Sequence, residues 1–567
     1  MALREFLAQH RIASAVAAPA VLGIAAIVAA SFAVTDTPRK ADTTLVSSVT
    51  ECHDMVTISV AGRNDTPREG TTAMLVDANG NPLPAALSGD HSSEWLDPVI
   101  NAPKAETGED YAAVYIAYPA NMDSYEDAVN TGVANTQQVM QQIAAACPDT
   151  KFSIVGYSEG ADVVRRVAMG IGNDDPADGY SVVNPDDVLG VVILADAGRQ
   201  AGEGPFPGAV DPNRPDNFDP AYQTGNGTAP GQGALPGTSG SFGKLNGKVA
   251  SFCSEGDLTC AAPQNISLLQ LAANVGRQLD VDSLQAQGLT EATGGDVAMK
   301  LGQIAMLAFS DIASQPNWMA SDETFLQVLL RVSDPAYKPG QQPVKTVAQD
   351  SITQDQLSPI AYLPQKIFNE IVGLIVTNQN TIPVIMSDPY QLTLGPNKTG
   401  HHFDYWRDSD PANGKPLTSA EYAAAWLTHL AKEAQAGRTP DTRAKPEEQD
   451  LADARAAAAA VTATPTATPT TTAKGTTTTA KPTTTTKPGT TTTAPKTTTT
   501  TPPVTTTPKP VDTQAEAPKK ETTTTAPAEP KKVKAETPAE TTTPAPTTTV
   551  TPTTTPAPTT TATPATP

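Results

Sequence analysis

Val188–Ala195 reads VLGVVILA, eight residues without a polar side chain, and a run of that kind has few places to go. A strand with one solvated face alternates apolar and polar residues. A strand apolar on both faces must be covered on both, which is the situation of a central strand in a parallel sheet. The neighbouring sequence supplies partners and covers. Met55–Ala61 (MVTISVA), Ala112–Tyr118 (AAVYIAY), Lys151–Val155 (KFSIV) and Lys248–Phe252 read as further strands. Tyr125–Ala146 places Val129, Val133, Val139, Met140 and Ile143 at helical spacing and stops at Cys147-Pro148-Asp149, and Ala161–Met169 reads as the next helix. Strands alternating with helices predict an α/β fold of three layers around a mostly parallel central sheet.

Two stretches interrupt that alternation. Gly202–Gly247 is rich in Gly, Pro and Asn, which predicts a long surface loop. Residues 264–396 carry helical patterns at Leu268–Leu279, Val297–Ile312, Phe325–Val332 and Leu363–Val376, which predict a helical insertion suited to act as a lid or as a docking surface. The folded domain is therefore expected over 45–436. Residues 437–567 form a tail that from about Ala456 is almost wholly Thr, Pro, Ala and Lys. Such a composition buries too little apolar surface to offset its ordering entropy, so the tail is expected to be disordered. Its Lys residues are suited to contacts with cell-envelope polymers.

Residues 1–44 read as an export signal or membrane anchor. Arg4 and Arg11 precede the uncharged run Ile12–Val34, long enough to span a bilayer, and Ser31-Phe32-Ala33 offers a small-residue cleavage site. Basic residues before the run place the chain beyond it outside the cell. Cys52, Cys147, Cys253 and Cys260 all lie in that exported part, and an even number there predicts two disulfides. The absence of a Cys-x-x-Cys pair argues against a metal site, and no cofactor is expected. The chain carries a formal charge of −22, and the tail from Ala460 holds ten Lys against six acids, so the rest is more acidic still. A domain that acidic is a poor partner for nucleic acid.

Gly156-Tyr157-Ser158-Glu159-Gly160 fits G-x-S-x-G, preceded by an apolar strand and followed by a helix-forming run. A sharp strand-to-helix turn pushes the serine hydroxyl out at the sheet edge, and glycines at both ends relieve the crowding. A serine nucleophile needs a base. His10 precedes the anchor, His53 adjoins Cys52, His91 sits in a polar stretch, and His429 falls inside the helical pattern Thr418–Ala434. His401 and His402 follow Leu392-Thr393-Leu394, read as a late strand, in the loop position that suits an imidazole. The orienting acid should lie between serine and histidine in sequence. Asp257, within Cys253–Cys260 directly after a strand, and Asp196, after Val188–Ala195, both qualify.

Together these residues resemble the cutinase family of α/β-hydrolases, especially the cutinase-like esterases of mycobacteria and corynebacteria. Cys147-Pro148-Asp149 leading to Gly156–Gly160 is similar to the family's nucleophile segment. Cys253–Cys260 is similar to its Cys-x-x-Gly-Asp-x-x-Cys acid loop, and His402-Phe403-Asp404-Tyr405 to its His-x-x-Tyr block. The resemblance spans about Val49–Cys260 and resumes at Gly400–Lys432. It implies Cys52–Cys147 and Cys253–Cys260 disulfides, and a triad of Ser158, His402 and Asp257. It also implies an oxyanion hole from the Glu159 N–H and a residue of the first loop, where Ala61-Gly62-Arg63-Asn64 departs from the family's Ala-Arg-Gly and Asn64 is the matching position. What the resemblance implies is a monomeric exported serine carboxylesterase acting on apolar or lipid esters. An acyltransferase using the same acyl-enzyme, or a non-catalytic envelope protein on a hydrolase scaffold, are the alternatives.

Overall fold

The computed structural model describes residues 48–218, 228–315, 317–340 and 362–438, with four more between 452 and 456. The N-terminal apolar run and almost all of the Thr/Pro-rich tail lie outside the described residues. Among those described, no helix is long and apolar enough to cross a membrane.

Six strands make one sheet: β1 (Met55–Val60), β2 (Ala85–Leu87), β3 (Tyr111–Ile116), β4 (Lys151–Tyr157), β5 (Val188–Leu194) and β6 (Val249–Phe252). Their order is β2-β3-β1-β4-β5-β6, with β2 antiparallel to β3 and every other pairing parallel. The register sets Ile58 between Val114 and Ile154, and Val155 beside Val192. The five strands expected from apolar runs are present within two residues at their ends. The short β2 carries only Ala-Ala-Leu, too few residues to show a period.

In chain order, α1 (Asp97–Ile100) and α2 (Ala102–Thr107) precede β3, α3 (Tyr125–Ala146) links β3 to β4, and α4 (Glu159–Gly172) links β4 to β5. The insertion after β6 supplies α5 (Ser267–Gly276), α6 (Val281–Gln287), α7 (Glu291–Ala313), α8 (Phe325–Ser333), α9 (Leu363–Val376), α10 (Thr381–Met386) and α11 (Pro389–Thr393). After the insertion comes α12 (Ser419–Gln435). Side chains of successive strand residues point to opposite faces, and each face has its own helical cover. Val139 of α3 and Val163 and Val167 of α4 pack over Ile58, Ile154 and Ile193. On the other face Val99 of α1 and Tyr422 and Trp426 of α12 pack over Tyr115, Val155 and Val192. Gly190 interrupts β5 for a steric reason: a Cβ there would come within 2.7 Å of Leu430 and 3.1 Å of Trp426.

Three expectations are corrected. Leu392-Thr393-Leu394 is not a strand; Pro389 opens the short helix α11 through Thr393 instead. His401–Trp406 is a turn of 3₁₀ helix rather than an open loop. Gly202–Gly247 does not merely skirt the surface, because Phe206, Phe218, Leu235 and Phe242 are buried, and the rings of Phe206 and Phe218 pack against Tyr422. Widely spaced aromatics pin a segment whose Gly and Pro content reads as loop. The insertion is divided in its loyalties. Leu269, Ala273 and Val281 join the core under the sheet, whereas Val275, Leu284, Ile304, Ala308 and Val328 form a separate small core among α5 to α8.

The strand order reverses between β1 and β4, the place where open α/β sheets leave a crevice at their strand ends. The C-terminal end of β1 leads into the loop holding Asn64, and that of β4 leads into Ser158.

Candidate active site

Ser158 connects β4 to α4 with φ 59° and ψ −122°, a backbone conformation that a side chain strains against. The two flanking glycines have a measurable cause. A Cβ on Gly156 would lie 2.5 Å from the Gly160 carbonyl oxygen, and one on Gly160 would lie 2.0 Å from that of Val60. No side chain fits either place. Ser158 stands at the N-cap of α4 but makes no capping bond with its side chain. Its Oγ instead lies 2.9 Å from Nε2 of His402.

The other imidazole nitrogen, Nδ1, lies 3.0 Å from Oδ2 of Asp257. Tyr405 donates its hydroxyl to the same oxygen at 2.7 Å, and the Thr259 N–H donates to Oδ1 at 3.0 Å. Burial alone would push the fully enclosed Asp257 carboxyl up. The facing imidazole and these hydrogen bonds outweigh it and hold the group below the ordinary carboxylate range. Burial and the Asp257 charge together drive Tyr405 well above the usual phenol range, so it stays a donor. The Cys253–Cys260 disulfide closes the loop that carries Asp257, and Cys52–Cys147 is also formed. Tyr157 completes the clamp on His402. Its ring stacks on His402 at 5.1 Å between centroids, and its hydroxyl donates to the His402 carbonyl at 2.8 Å.

The 3₁₀ turn explains which histidine points inward. Residues three apart eclipse one another in such a turn. His402 and Tyr405 therefore share one face and meet on Asp257, while His401 and Asp404 share the opposite one, 2.7 Å apart. The His401 side chain is 42% exposed and that of His402 1%. The competing acid, Asp196, is taken up elsewhere, buried against Arg165 and accepting from the Ser251 hydroxyl at 2.9 Å. His429 is buried within α12, His53 contacts the Glu109 carbonyl, and His91 packs on Tyr115. His10 lies outside the described residues. Among the described residues no group of three or more His, Cys, Asp or Glu is placed to hold a metal.

The Glu159 N–H occupies the first position of α4, where a helix leaves its N–H groups without intrahelical partners. Asn64 holds a left-handed φ of 61°, and its backbone N–H donates to the Ala120 carbonyl at 2.9 Å. That N–H is committed, so any contact from Asn64 to an incoming oxygen has to come from its side chain. Sequence reading overlooked the side chain of Glu159. It is 2% exposed, and neither carboxylate oxygen has a hydrogen-bond partner among the described residues. Burial, followed by the charges of Asp162 and Asp282, drives the group well above the ordinary carboxylate range despite the opposing pull of Arg63. Arg63 is itself ion-paired with Asp282 of α6, which ties the loop after β1 to the insertion. Tyr405 was marked only through the resemblance of its block to the family's His-x-x-Tyr, and the hold of Tyr157 on His402 went unread; Glu159's isolation had no sequence signal, since an acid at a helix start ordinarily faces solvent.

Residues 77–271 match the family model described as Cutinase. A 148-residue stretch is 35% identical to a protein of Corynebacterium glutamicum described as a carboxylesterase Culp6 homolog, covering 26% of this chain and 46% of that protein. The chain thus spans about half the length of the curated relative it matches. Among solved structures, the catalytic core domain of acetyl xylan esterase from Trichoderma reesei is similar at 18% identity and a TM-score of 0.25, over 42% of this chain and 99% of that one. A cutinase-like protein from Cryptococcus sp. is similar at 15% identity and a TM-score of 0.26, over 43% and 94%. The family match contains Ser158 and Asp257 and stops before His402.

Proposed function

We propose that this chain, whose residues 77–271 match the Cutinase family model, is an exported serine carboxylesterase that hydrolyses apolar or lipid esters. One observation supports this reading above the others: an unbroken chain of hydrogen bonds from Asp257 through His402 to Ser158, assembled from three distant stretches of sequence.

In the proposed reaction His402 Nε2 takes the proton of Ser158 Oγ as that oxygen attacks the ester carbonyl. Asp257 holds the imidazole in the tautomer that leaves Nε2 free to accept, and stabilises the imidazolium that forms. The Glu159 N–H and the Asn64 amide stabilise the oxyanion, each such donor being worth about 3–4 kcal/mol in a well-ordered site. The tetrahedral species collapses, the alcohol leaves with the proton from His402, and an acyl-Ser158 remains. Water, deprotonated by the same imidazole, then attacks the acyl carbonyl. The carboxylic acid departs and Ser158 regains its proton.

A short-chain nitrophenyl ester and a fluorophosphonate probe test the assignment. Ser158→Ala should reduce turnover by roughly 10⁴-fold, because residues that act as a unit lose nearly all their effect together. It should also abolish labelling. Labelling that persists in Ser158→Ala, or a loss of turnover below about tenfold, rules out Ser158 as the nucleophile.

A further inference from the structure

Helix α9 is built inside out. Its sequence, LPQKIFNEIVGLIV, has two charged residues, and both turn inward. Lys366 is 4% exposed and donates to the carbonyls of Trp318, Ser321 and Glu323 at 2.9, 3.2 and 2.5 Å. One turn on, the Glu370 carboxylate accepts the Phe325 N–H at the start of α8, at 2.9 Å. A further turn on, Gly373 lies so close to Thr324 that a Cβ would come within 2.4 Å of its methyl group. These three positions, at i, i+4 and i+7, define the face that α9 turns to the rest of the insertion.

The opposite face carries the apolar residues. Ile367, Ile371 and Ile375 form a row at four-residue spacing with Phe368 beside it; Phe368 is 61% and Ile375 62% exposed. Helix α10, next in the chain, likewise exposes Ile382 and Met386, at 71% and 78%. A surface helix normally buries its apolar stripe and wets its charges. Here the charges are satisfied internally, and the apolar stripe is left for something else. A contiguous apolar surface of that kind marks an interaction site.

We propose that the α9–α10 face docks on the surface of an uncharged lipid layer, with α9 lying in the boundary between headgroups and acyl chains. Three observations choose this occupant. The face presents no charge, so it has nothing to pair with a polar or charged partner rim, while the strongly acidic chain gains nothing from an anionic surface. At fourteen residues α9 is too short to span a bilayer, and a helix with one wide apolar face lies along the interface instead. An N-terminal run retained as an anchor would also deliver the domain to such a surface. The uncharged run Ile12–Val34 ends only thirteen residues before Ser48, a tether of at most about 45 Å. The insertion bearing the face departs after Asp257 and returns just before His402, so both its ends join the chain next to the proposed triad, and docking would serve to present lipid esters to it. That purpose rests on the esterase reading; the docking itself does not.

Nitroxide scanning of the full chain decides the matter, since all four native cysteines are held in disulfides. A label is placed at Ile371→Cys, and a control label at Glu109→Cys, beside the opposite ends of the strands. With phosphatidylcholine vesicles the label at 371 should lose about threefold of its accessibility to a nickel chelate while gaining accessibility to oxygen, and the label at 109 should change in neither. Unchanged nickel accessibility at 371 on protein that floats with the vesicles would mean the N-terminal run alone holds the chain, and would overturn the proposal. Shielding of position 371 from both reagents before vesicles are added would overturn it too, identifying a protein cover, either residues 341–361 or a second copy. In parallel, the triple variant Ile367→Ser, Phe368→Ser, Ile371→Ser should lose about tenfold of its rate on a long-chain ester dispersed in phosphatidylcholine, with its rate on a soluble short-chain ester within about twofold of wild type. Equal rates on both substrates would count against docking. A wild-type chain that cleaves neither ester would remove the esterase reading and leave the nitroxide result standing.

Discussion

At the scale of single residues, the site separates two carboxyl groups by environment. Asp257 is surrounded by donors and held below the ordinary carboxylate range, while Glu159, next to Ser158 in sequence, has none and is pushed well above it. The sign of the consequence for Glu159 comes from its raised value. Between the ordinary glutamate range and its folded value the native state binds a proton that the unfolded chain has released, so stability falls as pH rises through that window. A glutamine has the same shape and nothing to ionise. Glu159→Gln should therefore match wild type at pH 4 and become progressively more stable than it above that, by about 1.4 kcal/mol for each pH unit until Glu159 ionises. Urea denaturation at a series of pH values measures the difference. A gap that stays constant with pH would show that Glu159 is charged in the fold.

At the scale of elements, the two disulfides do different work. Cys52–Cys147 links the chain before β1 to the end of α3 and closes 95 residues, which in a chain-entropy account is worth about 4–5 kcal/mol. Cys253–Cys260 spans seven residues and by the same account is worth about half as much, but it frames the loop that sets Asp257 against His402. Replacing Cys52 and Cys147 by Ser should lower the denaturation midpoint substantially and leave kcat near wild type in the surviving folded fraction. Replacing Cys253 and Cys260 should lower the midpoint by about half as much but reduce kcat by about tenfold or more, because in the proposed triad an imidazole held loosely transfers its proton poorly. Equal effects of both pairs on kcat would mean that the acid loop is positioned by Tyr405 and Thr259 alone.

At the scale of the whole molecule, the described part of the chain has a large core on both faces of one sheet and a small second core within the insertion. The small core packs few apolar side chains, and its outer helices expose many. Such a unit should open before the sheet does. Native-state hydrogen exchange is expected to give lower protection in α7 and α8 than in β4, β5 and α4. Equal protection would show that the insertion unfolds only with the sheet. The first helices of the insertion, α5 and α6, should side with the sheet, because Leu269, Ala273 and Val281 are buried with it and Arg277 is ion-paired to Glu126 of α3.

What the sequence determined by itself is whatever one continuous stretch encodes. The apolar runs of β1, β3, β4, β5 and β6 state their own burial, Tyr125–Ala146 shows its helical period over about six turns, and G-x-S-x-G names a turn that only small residues permit. The Cys253–Cys260 segment and the His402–Tyr405 block are also continuous stretches, but their meaning came from the resemblance to the cutinase family. Tertiary structure decided what depends on distant neighbours or on local geometry that composition does not specify. It set His402 rather than His401 against Ser158 through the pitch of a 3₁₀ turn, and gave Asp196 to Arg165. It also left the Glu159 carboxylate without a hydrogen-bond donor and turned the apolar face of α9 outward. Periodicity records that a helix has two faces, and only the packing of the surrounding chain chooses which of them is buried.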